Sequence, residues 1–155
     1  MGNDRDALEQ LLAAYCHRVD RGTAAEVAEL FAPDAVLRPV YDGDYECIGR
    51  GEIQRWYAFY HENFRSTVRH LKHMITSCLF EINGDRASGC SYLLGSAVGA
   101  DDGEGFFVTG TYTDEYTRVK DDQWLFQSRR IEVEAMVPQG VVHQEFPPLN
   151  FPPSA

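Results

Sequence analysis

The chain has 155 residues, enough for one domain with a core that needs no disulfide staples. Hydrophobic residues make up 44% and charged residues 25%, the balance of an ordinary globular protein. A formal net charge of -10, with no basic run, argues against nucleic acid and anionic membrane surfaces as partners.

No stretch approaches a membrane span, and the opening MGNDRDALEQ is too acidic and polar for a secretory signal. Asp6 stands where a myristoylation signal needs Ser or Thr. Cys16, Cys47, Cys78 and Cys90 have no CxxC spacing. They read as free thiols, small and buried, in a reducing cytoplasm.

In chain order, Asn3 or Asp4 can cap a first helix, with Leu8, Leu11, Leu12, Tyr15 and Val19 at helical spacing and Gly22 ending it. Thr23-Ala-Ala-Glu26 reads as a capping box for a second helix, whose apolar face is Val27, Leu30 and Phe31 and which Pro33 ends. Ala35 to Val40 reads as a strand, and Pro39 favours an edge position for it. Tyr41-Asp-Gly-Asp is a turn and Tyr45 to Ile48 a short return strand. Gly49 to Gly51 leads into a third helix carrying Ile53, Trp56, Tyr57 and Tyr60.

From Val68 the period drops to two, which sets His73, Ile75, Ser77 and Leu79 on one face. Asn83-Gly84-Asp85 is a hairpin turn leading to a partner strand from Ala87 to Val98. Strands over Phe106 to Val119 and Trp124 to Met136 follow, joined by Lys120-Asp-Asp-Gln. The tail from Pro138 is expected to be irregular, since Pro147-Pro148 and Pro152-Pro153 exclude regular structure. Its Phe146, Leu149 and Phe151 are apolar enough to lie on a surface. There is no sign of a second domain, so residues 1–155 read as one, with a core over about 5–136 and a Pro-rich tail over 138–155.

Three residues carry chemistry. Tyr15 and Asp20 sit near the end of the first helix and His73 in the first long strand. A phenol, a carboxylate and an imidazole brought into one cavity can transfer protons without a cofactor. Asp20 is in a last helical turn, where the macrodipole disfavours a carboxylate by about 0.3–1 kcal/mol. Either it is a solvated helix end beside Arg21 or it orients an imidazole. Tyr15 is either core packing or a hydrogen-bond donor to a substrate oxygen. His70 falls on the face opposite His73; the two would make a metal pair only on a helix, and no third ligand is at hand. Gly49-Arg-Gly51 lacks the ending of a phosphate loop, and no nucleophile elbow is present. Phe31, Trp56, Tyr60 and Tyr92 are core or cavity wall.

Several segments together resemble the SnoaL-like branch of the nuclear transport factor 2-like superfamily. They are Tyr15-x4-Asp20-Arg-Gly, Glu29-Leu-Phe-Ala-Pro-Asp-Ala35, Lys72-His-Met-Ile-Thr-Ser77, Ile82-Asn-Gly-Asp-Arg-Ala87, Gly110-Thr-Tyr-Thr-Asp114, Asp122-Gln-Trp124 and Arg129-Arg130. The likeness spans roughly residues 5–136. It implies an α+β fold in which a cone-shaped, strongly curved mixed or antiparallel sheet wraps around three helices from the N-terminal half.

The branch holds dehydratases, a dehydrochlorinase and the small subunits of ring-hydroxylating oxygenases. The resemblance therefore implies a cofactor-independent, metal-free lyase acting by proton abstraction on a small, largely apolar cyclic substrate. An isomerase is the close variant. A non-catalytic binding module or structural oxygenase subunit is the alternative. By the same resemblance His73 is the base, Asp20 its orienting partner and Tyr15 the group that polarises oxygen. Ser77 stands where relatives often carry Asn. Arg129 or Arg130, with Arg130 the one assigned, would bind substrate beside Ser77, Phe31, Trp56, Tyr60 and Tyr92. Members commonly form dimers or trimers, so a homodimer or homotrimer is expected.

Overall fold

The computed structural model describes residues 3–141 and 146–153. Helix α1 spans Asp4–Arg21 and is capped by Asn3, whose side chain accepts from the Arg5 N–H at 2.9 Å. Asp4 and Asp6 in its first turn and Arg18 and Arg21 in its last complement the helix dipole. Helix α2 is shorter than the periodicity suggests, Ala24–Ala28, with Thr23 accepting from the Glu26 N–H at 3.1 Å. Leu30 and Phe31 are not on this helix: strand β1 already begins at Phe31 and runs to Pro39. Strand β2 is only Cys47–Ile48, and helix α3 covers Arg50–Asn63.

Four long strands follow: β3 Val68–Asn83, β4 Arg86–Gly99, β5 Glu104–Arg118 and β6 Trp124–Val141. Among the described residues the six strands form one sheet in the order β2-β1-β6-β5-β4-β3. The pairing of β1 with β6 is parallel and the other pairings are antiparallel, so the sheet is mixed. Helix α1 packs on β3 at one edge and also on β6, three strands across, so the sheet curves around it.

Three expectations are corrected. Strand β1 is not an edge, because the two-residue β2 lies outside it. Strand β6 continues through Pro138 to Val141, pairing with β5 at a register shift that accommodates the proline. The third correction concerns β3, where the register against β4 shifts between Arg69 and Lys72 and again between Thr76 and Leu79. His70 and Ser77, at φ 57 and 55, occupy the two bulges. Past Ser77 the parity flips. Cys78 and Phe80 turn inward, while Leu79 is 73% exposed.

Residues 146–153 have no regular structure and leave Phe146, Leu149 and Phe151 exposed. The expectations for Met1, Gly2 and the tail at 142–145 and 154–155 lie outside the described residues. No helix among the described residues is long and apolar enough to cross a membrane.

The core lies between the concave face and the helices. Leu8, Val19, Val27, Phe31, Leu37, Ile53, Tyr57 and Phe126 are almost completely buried there. Each such side chain contributes roughly 1.5–3 kcal/mol of transfer free energy. What this core does not fill is a cavity between α3, the end of α1 and the middle of the sheet.

Candidate active site

Asp20 and His73 meet, although 53 residues separate them. The last turn of α1 presents Asp20, and the straight stretch of β3 between its two bulges presents His73. His73 Nδ1 lies 2.5 Å from Asp20 Oδ1, and the His73 backbone N–H donates to Asp20 Oδ2 at 3.0 Å. Both carboxylate oxygens are thus occupied by one residue. The two donors offset the unfavourable helix-end position. The side chains are 12% and 11% exposed, so the pair is largely desolvated. An ionised carboxylate only accepts, so Nδ1 carries the proton and Nε2 is left with its lone pair.

Tyr15, one turn earlier on α1, is buried and shares a 2.7 Å hydrogen bond with Tyr57 of α3. Burial raises the Tyr15 phenol, and the nearby Arg129 guanidinium works against that rise. Burial also raises Tyr57 and Tyr112 well above the ordinary phenol value, so all three stay protonated donors. Beneath Tyr15 lies Arg129, fully buried, its guanidinium 4.2 Å from the Tyr15 ring centroid and 3.8 Å from that of Tyr112. Asp114, its cross-strand partner, takes two bonds from it at 2.8 and 2.9 Å. Burial opposes the charge on Arg129, and the Asp114 carboxylate outweighs it, holding the pKa well above the usual arginine value.

The cavity measures about 320 Å³. Tyr15 and His73 line it, as do Trp56 and Tyr60, stacked on each other at 17°. Phe64, Phe106, Tyr112 and Ile131 add apolar wall, and Asp42, Asn63 and Ser96 add the few polar groups. Such a volume and balance suit a small organic molecule.

Four residues expected at a substrate site lie elsewhere. Arg130 is on the outer face, paired with Glu132 at 2.9 Å; it is Arg129 that points inward. Tyr92 is also on the outer face, 57% exposed. Ser77 lines a second groove between α1 and β3, together with Arg5, Glu9 and Cys16; His73 borders both this groove and the cavity. Phe31 is core, against Tyr57 and Phe126. Tyr57 was legible as helix bulk, but its bond to Tyr15 crosses 42 residues and left no mark in the sequence. No group of three or more His, Cys, Asp or Glu that could hold a metal occurs among the described residues.

Residues 2–130 match the family model of the SnoaL-like domain. Among solved structures the chain is similar to a protein of Novosphingobium aromaticivorans provisionally assigned as an aromatic ring hydroxylase. Identity is 26%, coverage 88% of this chain and 93% of that one, and the TM-score 0.71. It is similar in fold to a second protein of that organism, provisionally assigned as a scytalone dehydratase, with 18% identity, 97% and 95% coverage and TM-score 0.74. A third is the hexachlorocyclohexane dehydrochlorinase LinA-type3 of Novosphingobium barchaimii, with 19% identity, 92% and 94% coverage and TM-score 0.73. No curated protein matches the chain.

Proposed function

The chain belongs to the SnoaL-like domain family, within the nuclear transport factor 2-like superfamily, and on that premise we propose that it is a cofactor-independent lyase. It removes a proton from carbon in a small, largely apolar cyclic substrate and expels a neighbouring group, as a dehydratase does. The observation that carries the reading is the Asp20–His73 pair on the wall of an apolar cavity.

His73 Nε2 takes the proton, and the C–H electron pair becomes a carbon–carbon double bond as the adjacent C–O bond breaks. The leaving hydroxyl takes from the His73 imidazolium the proton just removed from carbon and departs as water, while the Tyr15 phenol, which Tyr57 holds in place, donates a hydrogen bond to it. Asp20 fixes the tautomer and stabilises the imidazolium. When no group leaves, the same abstraction gives an enolate, and the proton returned elsewhere makes an isomer. The four cysteines, all free, suit the reducing cytoplasm where the proposal places the enzyme. A structural oxygenase small subunit is the second reading, drawn from the neighbour assigned as a ring hydroxylase; a large subunit that co-purifies would favour it.

The test needs no known substrate. Cyclic ketones in deuterium oxide should exchange their α-hydrogens in the presence of the protein, followed by mass spectrometry. His73→Ala should abolish the effect, a loss of about 10²–10⁴. Asp20→Asn should reduce it strongly, by as much as about 10⁴, while leaving the fold intact. A panel of hydroxylated and halogenated rings, scored for release of water or halide, then separates elimination from exchange. Equal rates for wild type and His73→Ala on every reactive ring would sink the mechanism.

A further inference from the structure

The inner face of the sheet has a gap beside His73. Gly95 is the cross-strand partner of His73 on one side and of Val108 on the other. All three line the cavity. Directly opposed residues of antiparallel strands hold their Cβ atoms about 4.5–5.5 Å apart. Any side chain at position 95 would therefore stand against the imidazole.

Neither backbone nor packing asks for glycine here. Gly95 is not among the positive-φ glycines. A Cβ built on it meets nothing closer than Val108 Cβ at 3.7 Å and the Lys72 carbonyl oxygen at 3.9 Å, which is ordinary contact. Gly89 and Gly110 differ. A Cβ there would meet backbone oxygens at 2.9 and 2.2 Å, so those glycines are required by close approach. A glycine inside a strand weakens it, so one that sterics would let go points to what the empty space admits.

Across the cavity from this notch stand the stacked rings of Trp56 and Tyr60, 5.6 Å apart. The described lining contains no Lys or Arg, and its one carboxylate is Asp42. An anionic substrate would find no counter-charge, and a flat neutral one would find aromatic walls.

We propose that Gly95 is a specificity-determining residue: its missing side chain forms a notch that lets a planar, uncharged substrate of two fused rings lie with one face against the sheet beside His73. The inference rests on the cavity being the reactive site, and the experiment separates the two. The probes are α-tetralone, with two fused rings, and cyclohexanone, with one. Binding is read by calorimetry and α-hydrogen exchange in deuterium oxide by mass spectrometry, for wild type, Gly95→Ala, Gly95→Val and His73→Ala.

Gly95→Val should weaken α-tetralone binding at least about tenfold and leave cyclohexanone little changed, with Gly95→Ala between. Melting temperatures of the two Gly95 variants should stay level or rise, and if Gly95→Val fails to fold, Gly95→Ala decides. His73→Ala should keep tetralone affinity and lose exchange. Unchanged tetralone affinity in a folded Gly95 variant would overturn the proposal, as would failure of wild type to bind it at millimolar concentration. Exchange that survives His73→Ala, with the Gly95 effect intact, would instead defeat the catalytic reading alone.

Discussion

One carboxylate, Asp20, answers two donors of one residue; its helix-end position allowed either a solvated end or an imidazole partner, and the family resemblance singled out His73. A helix-end Asp is locally unfavourable, so its presence asks for a reason. His61 near the end of α3 carries no such signal, since a basic residue suits a helix C-terminus. Its Nε2 is buried and has no hydrogen-bond partner among the described residues. Burial lowers its pKa, the nearby Arg65 charge lowers it further, and a bond with the Val19 backbone works the other way. The consequence has a definite sign. Below the ordinary histidine value of 6.5, the unfolded chain takes up a proton that the folded chain resists. Stability is therefore full above that pH and declines as pH falls through the lower, folded-state value. In urea titrations from pH 7.5 to 5, His61→Gln should lose less stability than wild type. Parallel curves would refute this.

At the scale of elements, helix and strand order were legible because hydrophobic periodicity and turn chemistry are local. The faces of β3 were not. Two bulges, at His70 and Ser77, hold non-glycine residues at positive φ. Nothing in an alternating apolar pattern marks where one extra residue is inserted. That insertion moved Ser77 to a different groove and put Cys78 and Phe80 inside. The same cause left Arg129 and Arg130 undecided, since β5 and β6 shift register at Thr109/Gly110 and Glu115/Tyr116 on either side of them. Gly110 marks one of these shifts, with the Glu132 carbonyl where its Cβ would be. Gly110→Ala should therefore destabilise by about 1–3 kcal/mol. The melting temperature should fall by about 2–4 °C for each kcal/mol in a chain of this size. Thermal unfolding by circular dichroism would measure it, and an unchanged midpoint would contradict the geometry.

The whole molecule has an inside that is accounted for and an outer sheet face that is not. Met74, Leu79 and Tyr92 are 44–73% exposed. Large apolar side chains left on a folded surface mark contact with something else. Sedimentation velocity at micromolar concentration should give a homodimer or homotrimer, and a monomer would refute the expectation. Inside, on the proposed reading, a flat molecule held between the aromatic rings of α3 and the sheet would meet a single base, because His73 stands on the sheet wall and Asp20 leaves it only Nε2. Such a site is handed. Of two hydrogens on one prochiral carbon, the one facing the sheet is within reach and its twin is not. Ketones recovered early from deuterium oxide should therefore carry a single deuterium per α-carbon, in one absolute configuration, measurable by NMR with a chiral solvating agent. Racemic label would mean that the proton is exchanged from both faces.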